Sequence, residues 1–160
     1  MGAFKGGDNM KRVLDHMAQQ LGSAKSVRVG FLEGSTCGEN NDASAPEVAF
    51  YNEYGTVEHK TKSGFTVYGG IPARPFFRIM IQKNSPMWGK LVQAALRMSD
   101  YNTKAALSIV GMKMHEQLQQ SIEEFTSPGN APSTIAAKGF DKPLEDSKNM
   151  KRAVWFEVSK

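Results

Sequence analysis

The strongest constraint on the fold of this chain is one long apolar stripe. Across residues 103–125, Leu107, Val110, Met114, Leu118, Ile122 and Phe125 recur three or four positions apart, the spacing of one face of an α-helix. Fully burying a side chain of this size contributes about 1.5–3 kcal/mol, so this helix is expected to anchor the core. Gly111 interrupts it at a cost of about 1 kcal/mol relative to alanine, which points to another element crossing closely there. A chain of 160 residues has the length of one domain and can bury about two thirds of its unfolded surface. A single domain with long arms is expected.

The remaining elements follow from caps, breakers and periodicity. Asp8 or Asn9 can cap a helix with apolar positions Met10, Val13, Leu14, Met17 and Leu21, stopped at Gly22; this is an amphipathic helix expected to pack on the rest. Residues 26–33 alternate as a half-buried strand with Val27, Val29 and Phe31 on one side. A loop rich in Gly, Asn and Ser spans 34–45, and Pro46 opens a short helix over 47–54 that ends at Gly55. Residues 56–70, with the β-prone run Phe65-Thr66-Val67-Tyr68, read as a hairpin or extended arm. Pro75 starts a helical turn to Met80, and Ser85-Pro86 reads as the cap and first residue of a second helix to Met98. Between 126 and 149 the prolines and glycines argue against regular structure. A final strand is expected over 151–158.

Composition removes several function classes. A hydrophobic fraction of 40% and a charged fraction of 22% are ordinary for a soluble globular protein. No apolar run approaches the roughly 20 residues that span a bilayer, so no membrane partner is expected. The start, Met1-Gly2-Ala3-Phe4-Lys5-Gly6, lacks a secretory signal and a myristoylation pattern, so the chain is expected to stay where it is made. With Cys37 alone, neither an internal disulfide nor a thiolate-rich metal site can form within one chain. The charge of +4 and pI near 9.2 raise nucleic acid as a partner. The basic residues are nevertheless scattered from Lys5 to Lys160 among acids, whereas a groove-binding stripe would be clustered.

Catalytic signals are incomplete. His115-Glu116-Gln117-Leu118-Gln119 is half of a helical zinc motif, with Gln119 where the second histidine should stand and His16 and His59 isolated; it reads as a solvated helix face. Cys37 has no histidine nearby in sequence and reads as a surface thiol. The neighbours Glu123-Glu124 and Glu145-Asp146 do not face each other on a helix, and Gly69-Gly70 lacks the register of a phosphate loop. No catalytic, cofactor-binding or metal-ligating residue is nominated, and the chain is not expected to be an enzyme.

Two phrases stand out instead. In Ile71-Pro72-Ala73-Arg74-Pro75-Phe76-Phe77 a proline on each side of Arg74 stiffens the backbone around a guanidinium. Arg74 is expected either to dock a partner or to pair with an acid such as Glu53. The second phrase runs from Asn130-Ala131-Pro132 to Lys142-Pro143-Leu144. Ile71, Pro72, Arg74, Pro75, Phe76, Phe77, Ile135, Phe140, Pro143 and Leu144 are the expected docking and assembly residues, because clustered apolar residues on arms are disfavoured where nothing covers them.

With Val27-Arg28-Val29-Gly30-Phe31 and Val48-Ala49-Phe50-Tyr51-Asn52-Glu53-Tyr54-Gly55-Thr56 in front of them, these phrases give a chain that resembles the neck and tail-completion proteins of long-tailed bacteriophages, also described as head-tail joining or minor tail proteins. The pieces stand in the family's order over about 27–158. In place of the family's Asp-Thr-Gly turn the chain has Asp146-Ser147-Lys148-Asn149, and Lys148 lacks glycine's freedom at positive φ. The resemblance implies an α+β fold, an antiparallel sheet flanked by helices with long arms, and a homomeric ring, sixfold by analogy, at the head-proximal end of the tail. It implies as partners the tail tube or tail terminator and the head connector, with DNA passing through the ring, and a place in the virion after assembly in the host cytoplasm. The alternative is a basic nucleic-acid-binding module acting on phage DNA.

Overall fold

The computed structural model describes residues 7–21, 24–37, 43–57, 59–60, 66–67, 70–144 and 149–159. The fold is α+β. Its described helices are α1 (Gly7–Leu21), α2 (Ala45–Tyr54), α3 (Phe76–Met98), α4 (Thr103–Glu124), α5 (Pro132–Lys138) and α6 (Asn149–Arg152), and its strands are β1 (Ser26–Phe31), β2 (Thr36–Cys37), β3 (Ala43–Ser44), β4 (His59–Lys60), β5 (Thr66–Val67) and β6 (Val154–Ser159). The strands pair two by two, β1 with β6, β2 with β3, and β4 with β5. β1 and β6 run antiparallel: Lys25 N donates to Ser159 O at 3.0 Å and Leu32 N to Ala153 O at 2.8 Å. Among the described residues no helix is long and apolar enough to cross a membrane.

The chain divides into two compact units. The first comprises Met1–Val29, Ser85–Met114 and Phe156–Lys160, the second Gly30–Asn84 and His115–Trp155. In the first unit Ala95, Ala106 and Val110 are buried, with Val27, Leu91, Val92, Leu96 and Met114 packed on them. Asn102 caps α4, its Oδ1 accepting Ala105 N–H at 3.0 Å, and its Nδ2 donates to Gln20 Oε1 at 2.8 Å. The close crossing anticipated at Gly111 is real: a Cβ there would lie 2.8 Å from Val27 Cγ2 and run into the Phe156 ring. Only glycine lets the β1–β6 pair lie this close to α4.

The second unit buries Ala45, Ala49, Phe76, Met80, Leu118, Ile122, Phe125, Met150, Ala153 and Val154. Four of these, Leu118, Ile122, Phe125 and Val154, stand on the apolar faces expected of the long helix and the last strand. Phe31 meets Phe76 edge to face, their centroids 6.1 Å apart.

Four expectations are corrected. The two helices predicted on either side of Ser85 are one, α3, with Pro86 inside it. The proline removes a hydrogen bond at a cost of about 3 kcal/mol, yet Phe76, Met80, Asn84, Trp88, Val92 and Ala95 keep helical spacing across it. Pro86 itself faces solvent, where water can satisfy the orphaned carbonyl. The stretch 126–149 is not wholly irregular, because Pro132 and Gly139 punctuate α5 instead of preventing it: Pro132 occupies its first turn and Gly139 ends it at φ 79°. The last strand starts at Val154, since Asn149–Arg152 form a helical turn. Helix α1 forms as expected, but Met10, Val13 and Leu14 remain 50–63% exposed and do not pack as the amphipathic pattern suggests. The loop core 38–42, the ends of the 65–68 run, Gly22 and residues 145–148, which hold one acid pair and most of the departing turn, lie outside the described residues.

Two outcomes follow from this packing. Gly111→Val should lower the free energy of unfolding by about 1–3 kcal/mol through overpacking against Phe156 and Val27; an unchanged urea midpoint would contradict the crossing. Pro86→Ala should restore a helical hydrogen bond on an exposed face and raise stability by about 1–3 kcal/mol, read from the same titration.

Candidate functional site

The phrases singled out in the sequence meet in the second unit, and Arg74 is where they meet. Its position is prepared by the backbone. Helix α2 ends at Gly55, whose φ of 75° suits glycine and where a Cβ would lie 2.8 Å from Ile71 O and 2.9 Å from Ala73 N. Thr56 N donates to Ile71 O at 2.9 Å, and Ile71 N returns a bond to Thr56 O at 3.1 Å. Gly70, at φ 66°, has its Cα against the Thr56 carbonyl with no room for a side chain. This clamp delivers Pro72 to Pro75 alongside α2, and Arg74 N donates to Asn52 O at 2.6 Å.

The guanidinium then spends its fixed fork of donors on four acceptors. Nη1 donates to Asn52 Oδ1 at 2.8 Å, Nε to Pro128 O at 3.3 Å, and Nη2 to Gly129 O at 3.1 Å and, at 3.4 Å, to Asn130 Oδ1. Asp141 Oδ1 accepts Asn130 N–H at 3.0 Å, which draws the residues after α5 onto the same cluster. Arg74 is 8% exposed. Desolvation by burial pulls its pKa below the usual arginine value, against the opposing charge of Asp141, and the side chain stays cationic at any ordinary pH.

Glu53 is the second buried charge, and it does not pair with Arg74. Its carboxylate caps α3: Oε2 accepts Phe77 N–H at 2.9 Å, and Oε1 accepts Arg78 N–H at 3.2 Å and Arg78 Nε–H at 2.8 Å. A carboxylate satisfies the unpaired N–H groups of a helix start and complements its dipole, so Glu53 is committed there and Arg74 finds carbonyls instead. Arg78 Nη2 also donates to Glu53 O at 3.0 Å, and its guanidinium carbon stands 5.1 Å from the Tyr54 ring centroid, within cation–π range.

The expected docking residues divide by burial. Arg74, Phe76 and Pro143 face inward; Ile71, Pro75, Phe77, Ile135 and Leu144 are half-buried; Pro72 and Phe140 are exposed. Lys138 Nζ lies 5.0 Å from the Phe140 ring centroid. The zinc-like half-motif is not a solvated face. His115 Nε2 is 3.1 Å from Val154 O and Gln119 Nε2 donates to Lys151 O at 3.1 Å, so both fasten α4 to the chain's last segments. Among the described residues no group of three or more His, Cys, Asp and Glu is placed to hold a metal ion.

Sequence reasoning missed a surface. Helix α2 turns Ala45, Ala49 and Glu53 inward and leaves Phe50 59%, Tyr51 46% and Tyr54 58% exposed, the reverse of an ordinary surface helix. Phe50 and Tyr54, four residues apart with centroids at 4.8 Å, border an open apolar cleft of about 420 Å³ that Phe31, Ala49, Phe77 and Ile81 also line. The i, i+4 aromatic pair was the available signal, but nothing in the sequence says which face of α2 is covered. No protein-family model, curated protein or solved structure matches the chain.

Substitutions should rank by burial. Arg74→Ala empties a buried side-chain site and removes several part-buried hydrogen bonds, each worth about 0.5–1.5 kcal/mol, and should cost about 2–4 kcal/mol. Glu53→Gln should cost about 1–2 kcal/mol through the helix start. Arg78→Ala, at a side chain 57% exposed, should cost less than about 1 kcal/mol. Denaturant titration of the three variants checks the order, and an Arg74→Ala protein as stable as its parent would refute the lock.

Proposed function

We propose that this chain is a structural protein of the bacteriophage neck, a homomeric ring that completes the tail and joins it to the head connector. One observation carries the reading. The α2 phrase, the Arg74 phrase and the Asn130 phrase, which help to carry the resemblance and stand apart in the sequence, supply the donors and acceptors of one cluster around the buried Arg74. Pieces that resemble a family and also form one physical unit are better support than the same pieces scattered.

The chemistry of the cluster agrees with this use. Arg74 is held by neutral side-chain and backbone carbonyls and Glu53 by Arg78 and the start of α3, which suits a rigid platform. Beside it the aromatic face of α2 stands in solvent, and aromatic side chains on a rigid support are the residues that anchor protein interfaces. The ring has unlike faces meeting head to tail, the arrangement that closes when its rotation closes.

Symmetry-resolved imaging of virions should place a ring of this protein, sixfold, between tail and connector, and its genetic removal should leave filled heads and finished tails unjoined. Isolated copies, or joined particles without the protein, would overturn the reading. Binding of the purified protein to free DNA should lack a steep salt dependence; a steep slope would favour the nucleic-acid module instead.

A further inference from the structure

After α4 the second unit makes a short excursion that closes on itself. Helix α5 has no buried residue. Its described hydrogen bonds, Ile135 N–H to Ala131 O at 3.0 Å, Gly139 N–H to Ile135 O at 2.8 Å and Lys138 Nζ to Lys142 O at 3.3 Å, stay within residues 131–142. The Phe140 ring meets Lys138 of the same stretch. We propose that residues 131–140 are a lobe that opens and closes as one piece on the second unit, with Asp141 as its catch and the Arg74 cluster as a post that stays in place. This holds whether or not the protein forms a ring.

Both legs of the lobe are fixed. On the near leg Arg74 Nη2 holds Gly129 O at 3.1 Å and Asn130 Oδ1 at 3.4 Å; on the far leg Pro143 is buried. Between the legs the neck is closed by an exposed bond, Asn130 N–H to Asp141 Oδ1 at 3.0 Å. The Asp141 carboxylate also lies over the Gly129 backbone, where a Cβ would stand 3.3 Å from Oδ2, and its charge acts on Arg74. Asp141 therefore reaches both the near leg and the post that holds it. A surface excursion of this length whose ends meet is an Ω-loop, a form that moves or binds more often than it supports a core.

The closed and open forms lie close in free energy. A helix of seven residues is too short to persist on its own, and segments that bury little apolar surface open at a small fraction of the global unfolding free energy. In α5 even Ile135 is only half-buried. Closure also carries a penalty. With its amide oxygen turned to Arg74, Asn130 has its Nδ2 buried without an acceptor, and an unpaired buried donor disfavours the state that holds it. The charged acceptor of Asp141 offsets that penalty, because hydrogen bonds to ionised groups are the stronger kind. Removing the carboxylate leaves the penalty without its counterweight, so the neck opens while Arg74 keeps Asn52 and Pro128.

The test is hydrogen exchange of the full chain, read by mass spectrometry under folding conditions. In the parent protein the amides of 135–139 should exchange at least about a hundredfold faster than those of 118–122 in α4. Asp141→Ala should speed exchange over 135–139 by about a further tenfold and leave α2 and the first turns of α3 unchanged. Asp141→Asn, which keeps an acceptor without its charge, should fall between. Trypsin gives an independent reading. Lys138 is the basic residue inside the lobe, its half-buried side chain must leave Lys142 O to enter a protease pocket, and Lys142 is shielded by the proline that follows it. The 138–139 bond should be nicked first, faster in Asp141→Ala by the same factor, and the nicked protein should keep its urea midpoint. Exchange over 135–139 that merely follows 118–122, or an Asp141→Ala lobe that behaves as its parent does, would overturn the proposal. So would a variant in which α2 and α3 speed up alike, since Asp141 would then support the whole unit.

Discussion

The burial of the Arg74 guanidinium is the interaction on which the second unit depends. Removing an ion from water costs several kcal/mol, and the structure meets that cost with acceptors from chain segments far apart in sequence, Asn52 on α2 and residues 128–130 after α4. Guanidinium suits the task because its donors are held in a rigid planar fork and its hydration is weaker than that of an ammonium. Hydrogen bonds of this kind select one arrangement: any other packing of the three segments leaves a buried cation without partners. The two prolines around Arg74 act on the same side of the balance, since they restrict the unfolded backbone and leave less freedom to lose.

Legibility in the sequence followed from whether one element alone decides the outcome. The stripe of α4 was readable because helical period and burial are properties of a single segment, and Gly111 was readable because an unfavourable glycine in such a stripe needs a neighbour. Pro86 was misread for the opposite reason. Its local rule, that proline opens a helix, was outweighed by a stripe that continues from Phe76 through Ala95 and is buried at both ends. At Pro132 and Gly139 the error lay in treating helix punctuation as helix prohibition, although proline in the first turn and glycine at the end are the usual marks of a short helix.

The pairing of Glu53 could not be read at all. Glu53 and Arg74 are complementary charges, but Glu53 stands where the N–H groups of Phe77 and Arg78 arrive, and a helix start is a fixed requirement that a carboxylate meets better than a mobile ion pair does. The competition between a helix terminus and a guanidinium is settled only in three dimensions. The same holds for His115, whose bond to the Val154 carbonyl depends on a strand that lies some forty residues later in the sequence.

Helix α2 joins this internal chemistry to the surface. Its inward face carries Ala45, Ala49 and Glu53, residues small enough to bring the helix close to its neighbours or polar enough to cap one of them, so there is no room for Phe50 and Tyr54 on that side. The aromatics therefore point outward as a consequence of how closely the buried face must pack. An exposed aromatic pair on a flexible segment could collapse onto the nearest apolar surface and lose its shape. Here the C-terminal end of the helix behind it is held by the Gly55 and Thr56 clamp and by the bonds of Asn52 and Glu53, so the pair stands on an anchored support. Side chains immobilised before binding lose less entropy on contact, which makes the lock at Arg74 a condition for the surface as well as for the core.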